Sequence, residues 1–256
     1  PKTLIKRNGY IERIKPFMRK NIAKVLTGQR RVGKSFLLYQ LMEQLLAEEP
    51  DANIIYINFE DFAFSHIQTA EDMHAYIMSK VRKEKYNYIF VDEIQEIVNF
   101  ERVIRSLLLN ENNDIYITGS NAKMLSGELA TYLSGRYIEF SVYSLSYLEF
   151  LEFHKLENNN ESLYLYSRYG GLPYLVNLPL KDETVNEYLK SVYSTIVFRD
   201  VVSRYNLRNS SFLEKLVQFL SENIGNLFSA KNISDYLKSQ HSTISVNQVQ
   251  NLSLIH

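Results

Sequence analysis

Gly28-Gln29-Arg30-Arg31-Val32-Gly33-Lys34-Ser35 decides how this chain is read. The stretch has the form G-x-x-x-x-G-K-[ST], a phosphate-binding loop. Such a loop turns from a strand into a helix and aims its backbone N–H groups at a bound phosphate. Lys34 then reaches the outer phosphates as a point charge, and Ser35 offers its hydroxyl to Mg²⁺. The flanks fit this order. Ile22, Ala23, Val25 and Leu26 form a short apolar run ending at Thr27, and Phe36, Leu37, Leu38, Leu41, Leu45 and Leu46 recur at helical spacing. The candidate nucleotide contacts are Gly28, Gln29, Arg30, Arg31, Val32, Gly33, Lys34, Ser35 and Phe36.

Further along, Tyr88-Ile89-Phe90-Val91 runs into Asp92-Glu93. An apolar strand ending in two acids is the second signature of ATP-hydrolysing phosphate-loop proteins. Asp92 is the candidate second Mg²⁺ residue, acting through water. Glu93 is the candidate base that polarises the attacking water. The strand Ile115-Tyr116-Ile117-Thr118 ends in Gly119-Ser120-Asn121. Ser120 and Asn121 are both candidates for holding that water or sensing the γ-phosphate, and both also suit a helix cap. Arg136, after Gly135, is a candidate finger toward a neighbouring chain's phosphates or a plain surface residue. No N-K-x-D motif for guanine occurs, so ATP is the expected nucleotide, with Ile14, Pro16 and Phe17 as candidate base-side contacts.

Composition sets outer bounds. The chain of 256 residues is 45% hydrophobic, as in ordinary globular proteins. It contains no cysteine, which excludes disulfides and thiolate metal sites and fits a reducing compartment, so a cytoplasmic location is expected. Its five histidines fall in no metal-binding pattern. No apolar run is long enough to cross a bilayer and no secretory signal opens the chain, so membrane insertion is not expected. The net charge is zero but uneven: residues 1–36 hold eleven Lys or Arg against one acid, Glu12. Lys2, Lys6, Arg7, Arg13, Lys15, Arg19, Lys20 and Lys24 read either as a nucleic-acid surface or as a solvated basic face.

The first half alternates strand-like runs (53–59, 88–91, 114–118, 137–142) with helical ones (71–81, 100–109), the pattern of β-α units around a buried parallel sheet. Nucleotides bind at the carboxyl ends of such strands. From about Ser146 only helical patterns follow: 148–156, a long stretch 183–205, then 212–220, 230–237 and 245–252. The polar cluster 157–161 and Gly170-Gly171-Leu172-Pro173 interrupt them.

These pieces resemble the bacterial and archaeal family of predicted AAA-type ATPases in which a domain of unknown function follows the nucleotide fold. The resemblance is carried by Thr27–Ser35, Val91-Asp92-Glu93-Ile94-Gln95 and Ile117-Thr118-Gly119-Ser120-Asn121. It continues through Leu133-Ser134-Gly135-Arg136-Tyr137, Ser144–Phe150, Tyr169–Pro173 and Phe198-Arg199-Asp200-Val201-Val202. It implies an α/β phosphate-loop fold with parallel strand order 5-1-4-3-2. A helical lid and a partial winged helix-turn-helix-like segment follow, in a chain that continues past His256. The domains implied are 1–143 for the ATPase, 144–208 for the lid and 209–256 for the winged-helix-like segment.

Three functions compete. The first is Mg²⁺-dependent ATP hydrolysis driving a conformational change, with DNA, a second copy or another protein as candidate partners. The second is a nucleotide-dependent DNA-binding switch with little hydrolysis, motivated by the basic amino-terminal face and the helical carboxy-terminal part. The third is a phosphate-loop kinase, disfavoured because the acid pair suits water as the acceptor.

Overall fold

The computed structural model describes residues 5–119, 132–133, 135–196, 210–227 and 229–239. Five strands, β1 Ala23–Thr27, β2 Asn53–Asn58, β3 Asn87–Asp92, β4 Asn113–Gly119 and β5 Tyr137–Ser141, form one sheet in the order β2-β3-β4-β1-β5. Every pair is parallel. This is the expected 5-1-4-3-2 order, and its consequence for the site is that β4 lies between β1 and β3.

Nine helices are described: α1 Asn8–Ile14, α2 Lys34–Glu48, α3 Ala70–Lys80, α4 Phe100–Leu107, α5 Tyr147–His154, α6 Asn160–Tyr169, α7 Asp182–Thr195, α8 Ser210–Glu222 and α9 Ala230–Ser239. The central strands β1, β3 and β4 are buried along their whole length and carry apolar side chains toward both faces, because the sheet is covered on both sides. Side chains alternate across the sheet. Ile89, Val91, Ile115 and Ile117 meet Met73 and Ile77 of α3 and Val103, Ile104 and Leu107 of α4. Tyr88, Phe90, Tyr116, Leu26 and Phe140 meet Ile11 and Ile14 of α1 and Leu37, Leu38, Leu41 and Leu45 of α2. Each such side chain, fully buried, contributes about 1.5–3 kcal/mol. Ile14 lies in this core with no exposed surface, and Phe17 packs edge-on against Phe140.

By compactness the chain divides into Pro1–Val185 and Asn186–His256. Within the first unit, a smaller core of Leu145, Phe150 and Phe153 gathers Ile5, Leu165, Tyr166 and Val176. Within the second, Leu213, Leu216 and Phe219 of α8 pack on Ile233 and Leu237 of α9.

Some elements differ from the sequence reading. Helix α1 has only two buried residues, Ile11 and Ile14, too few for a visible period. The cluster 157–161 is a loop only in part: Asn159 accepts a hydrogen bond from the Ser162 N–H at 2.9 Å and caps α6. The expected helix 183–205 is described as far as Thr195, and the expected helix 245–252 lies outside the described residues.

The basic amino-terminal run also divides. Lys6, Arg13, Lys15 and Lys20 are exposed, but Arg7 is 5% exposed and Lys24 not at all. Neither reading of the run, nucleic-acid surface or solvated face, holds for these two. Lys24 on β1 is buried against Asp114 on β4, to which it donates a hydrogen bond, and it also donates to the Ile22 carbonyl at 2.8 Å. Tyr116 Oη and the Arg19 N–H donate to the other Asp114 oxygen, each at 2.8 Å. Burial pushes the Lys24 ammonium down, against the opposing pull of Asp114. Strand adjacency, invisible in sequence, supplies the partner that lets this charge be buried.

Candidate functional site

The site sits at the carboxyl ends of β1, β4 and β3. The loop from Gly28 to Gly33 leaves β1, and two glycines set its path. Gly28 has φ +143°, and a Cβ there would lie 2.1 Å from the Val142 carbonyl oxygen. That carbonyl cannot retreat freely, because the Val142 N–H donates to the Thr27 carbonyl at 2.7 Å. Gly33, at φ +96°, takes the left-handed conformation that starts α2. Arg31 also has positive φ, +66°.

Lys34, 4% exposed, folds back over the loop and donates to the Gly28 and Gln29 carbonyls at 3.0 and 3.1 Å. Burial lowers its proton affinity, and the nearby Glu93 and Asp92 carboxylates oppose that shift. Arg30 reaches Glu60 at 3.3 Å. Phe36 is exposed and meets the Tyr39 ring edge-on at 6.1 Å.

Asp92 closes β3 and is buried. It accepts hydrogen bonds from Thr118 Oγ1 and, at 3.5 Å, from Tyr56 Oη. Burial raises its proton affinity; the Thr118 hydrogen bond and the nearby Ser35 hydroxyl act the other way, the Glu93 charge adds to the rise and Lys34 opposes it. The next residue, Glu93, is buried and left-handed at φ +53°, ψ +48°. That conformation costs a non-glycine residue about 1–3 kcal/mol and persists only where surroundings enforce it. Thr118 Oγ1 accepts the Glu93 N–H at 3.0 Å and the Glu93 carbonyl accepts the Glu96 N–H at 3.2 Å, while Gln95 Nε2 donates to the side-chain Oε2 at 2.5 Å.

The structure therefore brings Gly28–Ser35, Asp92 and Glu93 together. Ser120 and Asn121 lie outside the described residues. Arg136 is exposed and sits before β5, where its carbonyl accepts the Ala23 N–H at the start of β1. The loop leaves the opposite end of β1, about 15 Å away at roughly 3.3 Å per residue. Arg136 is thus remote from the phosphate loop of its own chain.

Three residues of the site were not singled out in the sequence. Thr118 uses one hydroxyl to hold both acids, and Gln95 orients the second. Tyr56 joins Asp92 to Tyr39, whose hydroxyl lies 3.1 Å from its own. A polar residue ending the apolar strand at 115–118 was the available signal for Thr118; Tyr56 carried none, since tyrosine is common in strands. The Gly170-Gly171-Leu172-Pro173 break also borders the site. Leu145 donates its N–H to the Gly171 carbonyl at 2.7 Å, and Pro173 Cγ lies 3.8 Å from where a Gly33 Cβ would stand.

Ser35 and Asp92 offer a hydroxyl and a carboxylate oxygen, hard donors that suit Mg²⁺, an ion that keeps most of its own waters. Among the described residues, no cluster of three or more His, Cys, Asp or Glu could hold a metal on its own. No helix among them is long and apolar enough to cross a membrane.

Fold and loop together define a phosphate-loop protein built on an all-parallel five-stranded sheet. The chain belongs to the AAA domain family, whose sequence model matches residues 20–151. A domain of unknown function, DUF8612, matches residues 160–251. The chain is similar to an uncharacterized protein of Haemophilus influenzae, 36% identical over 249 residues, covering 93% of this chain and 61% of the relative. An uncharacterized protein of Methanocaldococcus jannaschii is 30% identical over 246 residues, covering 90% and 53%. The chain thus spans about half to three-fifths of the length of the curated relatives it matches. Among solved structures, Cdc6p from Pyrobaculum aerophilum is similar at a TM-score of 0.47 and 13% identity, covering 98% of this chain and 86% of that one.

Proposed function

We propose that the chain binds Mg²⁺-ATP and hydrolyses it, coupling turnover to a conformational change. The observation that carries this reading is the convergence of the loop with Ser35, Asp92 and Glu93 at the carboxyl ends of β1 and β3, where Thr118 of the intervening β4 holds both Asp92 and Glu93. Loop amides and Lys34 would bind the β- and γ-phosphates, Lys34 exchanging the Gly28 and Gln29 carbonyls for phosphate oxygens. Ser35 and Asp92 would hold Mg²⁺, which supplies positive charge to the phosphates when bound. Glu93 would orient a water for attack on the γ-phosphorus and take its proton as the bond to ADP breaks. Arg136 could serve only a neighbouring copy's nucleotide, which would make turnover depend on protein concentration.

Phosphate release, with no acceptor added, is the direct test. Glu93→Gln should retain nucleotide binding and lose turnover; normal release by that variant would remove the assigned base. The DNA-linked reading keeps only part of its motivation, because Arg7 and Lys24 are buried and Lys6 pairs with Glu43 at 3.5 Å. DNA binding that weakens with salt and changes with ATP would favour it.

A further inference from the structure

Arg7 lies outside every motif of the chain, yet it is among the most thoroughly engaged side chains described. Its guanidinium is buried, and all five N–H donors are used. Nε and Nη2 form a bidentate pair with Glu149 on α5 at 2.7 and 3.0 Å. Nη2 also donates to the Ser144 carbonyl at 3.4 Å, and Nη1 to the Tyr143 carbonyl at 3.0 Å. The remaining donor of Nη1 reaches the Val32 carbonyl at 3.1 Å, inside the phosphate loop. The Tyr10 ring covers the group, 4.6 Å from Cζ. Gln40 on α2 fixes the backbone behind it, accepting the Arg7 N–H and donating to the Ile5 carbonyl.

The Val32 contact has a geometric consequence. A trans peptide points its C=O and the following N–H in opposite directions. Holding the Val32 carbonyl on the guanidinium therefore turns the Gly33 N–H away from Arg7. The carboxylate that anchors the guanidinium belongs to a different element. Glu149 is N3 of α5, where it also accepts the Ser146 N–H at 2.8 Å in a capping box. A change in α5 is thus transmitted to the Val32–Gly33 peptide through two charge-assisted hydrogen bonds and one planar group.

We propose that Arg7 is a positioning residue for the nucleotide site: it sets the Val32–Gly33 peptide for phosphate and makes the loop's posture depend on the placement of α5 through Glu149. This deepens the proposed function and rests on it. Because lysine has no planar fork, Arg7→Lys cannot serve Glu149 and the Val32 carbonyl together, and a misplaced loop amide should weaken binding by about tenfold or more.

The test is titration of the full chain with a fluorescent methylanthraniloyl-ATP, alongside thermal melting without nucleotide. Ile104→Ala, on α4 and in the core on the other face of the sheet, serves as a control for general loss of stability. Arg7→Lys should bind at least about tenfold more weakly than the native chain, while Ile104→Ala stays within about twofold. Arg7→Lys binding within twofold of native, or Ile104→Ala losing as much, would overturn the positioning role. Should Arg7→Lys fail to fold, Glu149→Gln decides in the same way, with a loss of about threefold expected because the ion pair is weakened and the fork kept. A native chain that binds no nucleotide would overturn the function itself, a result separate from any difference between variants.

Discussion

Replacing Thr118 by valine keeps the shape of the side chain and removes one hydroxyl. That hydroxyl donates to Asp92 and accepts the Glu93 N–H at 3.0 Å, and all three residues are buried. Thr118→Val therefore strands an amide and removes a donor from a carboxylate at once. Each loss costs about 1–3 kcal/mol, so roughly 2–6 kcal/mol of stability should go. At about 2–4 °C per kcal/mol for a chain of this size, the melting temperature should fall by about 4–24 °C. The functional effect has a second origin. Glu93 loses the hydrogen bond from its own N–H, beside which its backbone stands at φ +53°, and a catalytic group displaced by about 1 Å loses on the order of a hundredfold in rate. The pH profile should also move. The Thr118 hydrogen bond lowers Asp92's proton affinity against burial, which raises it. Without that bond the carboxylate protonates at higher pH, and the acid limb of the hydrolysis profile shifts upward. The assay is phosphate release across pH, with melting curves on the same samples. Thr118→Ser, which restores the hydroxyl, should recover most of the rate. Native turnover by Thr118→Val, or a loss that serine does not repair, would refute the bridging role.

Other expectations follow from the same geometry. Lys34→Ala should abolish nucleotide binding by calorimetry, since nothing else in the loop carries a charge to the outer phosphates from Lys34's position. Gly28→Ala should displace the loop, because the added carbon meets the Val142 carbonyl at 2.1 Å and backbone must yield; overpacking of this kind costs about 1–3 kcal/mol, visible as a lower melting temperature with weaker ATP binding. Asp92→Asn should melt at or above the native temperature at neutral pH without nucleotide: burial raises the folded proton affinity, so the ionised carboxylate disfavours folding as pH rises through the folded pKa, and the amide removes that opposition while turnover is lost. For Glu149, burial alone would raise the carboxyl, but the Arg7 and Ser146 hydrogen bonds outweigh it and the net shift is downward. Its contribution to stability is full above the ordinary value of 4.5 and lost as pH falls through the folded value, so Glu149→Gln should flatten the acid side of a melting-temperature profile.

The sequence alone determined whatever is encoded by neighbours along the chain. The loop Gly28–Ser35 needs glycines at fixed offsets, a strand before it and a helix after it, and all of these are local. The apolar strands ending at Thr27 and Asp92 announced a sheet covered on both faces, and the acids after Val91 announced their place at its carboxyl edge. Tertiary structure decided what depends on residues far apart. Arg7 meets Glu149 across 142 positions, and Lys24 meets Asp114 across 90, so two lysine-or-arginine letters that read as surface charge are buried groups whose partners only the fold supplies. Thr118 became the joint of the site because β4 runs between β1 and β3, and Arg136 fell at the far end of the sheet because β5 is parallel to β1. The physical reason is the same throughout. Backbone preferences and hydrophobic period act over a few residues, whereas desolvating a charge is tolerable only where a partner stands, and strand order sets where that is.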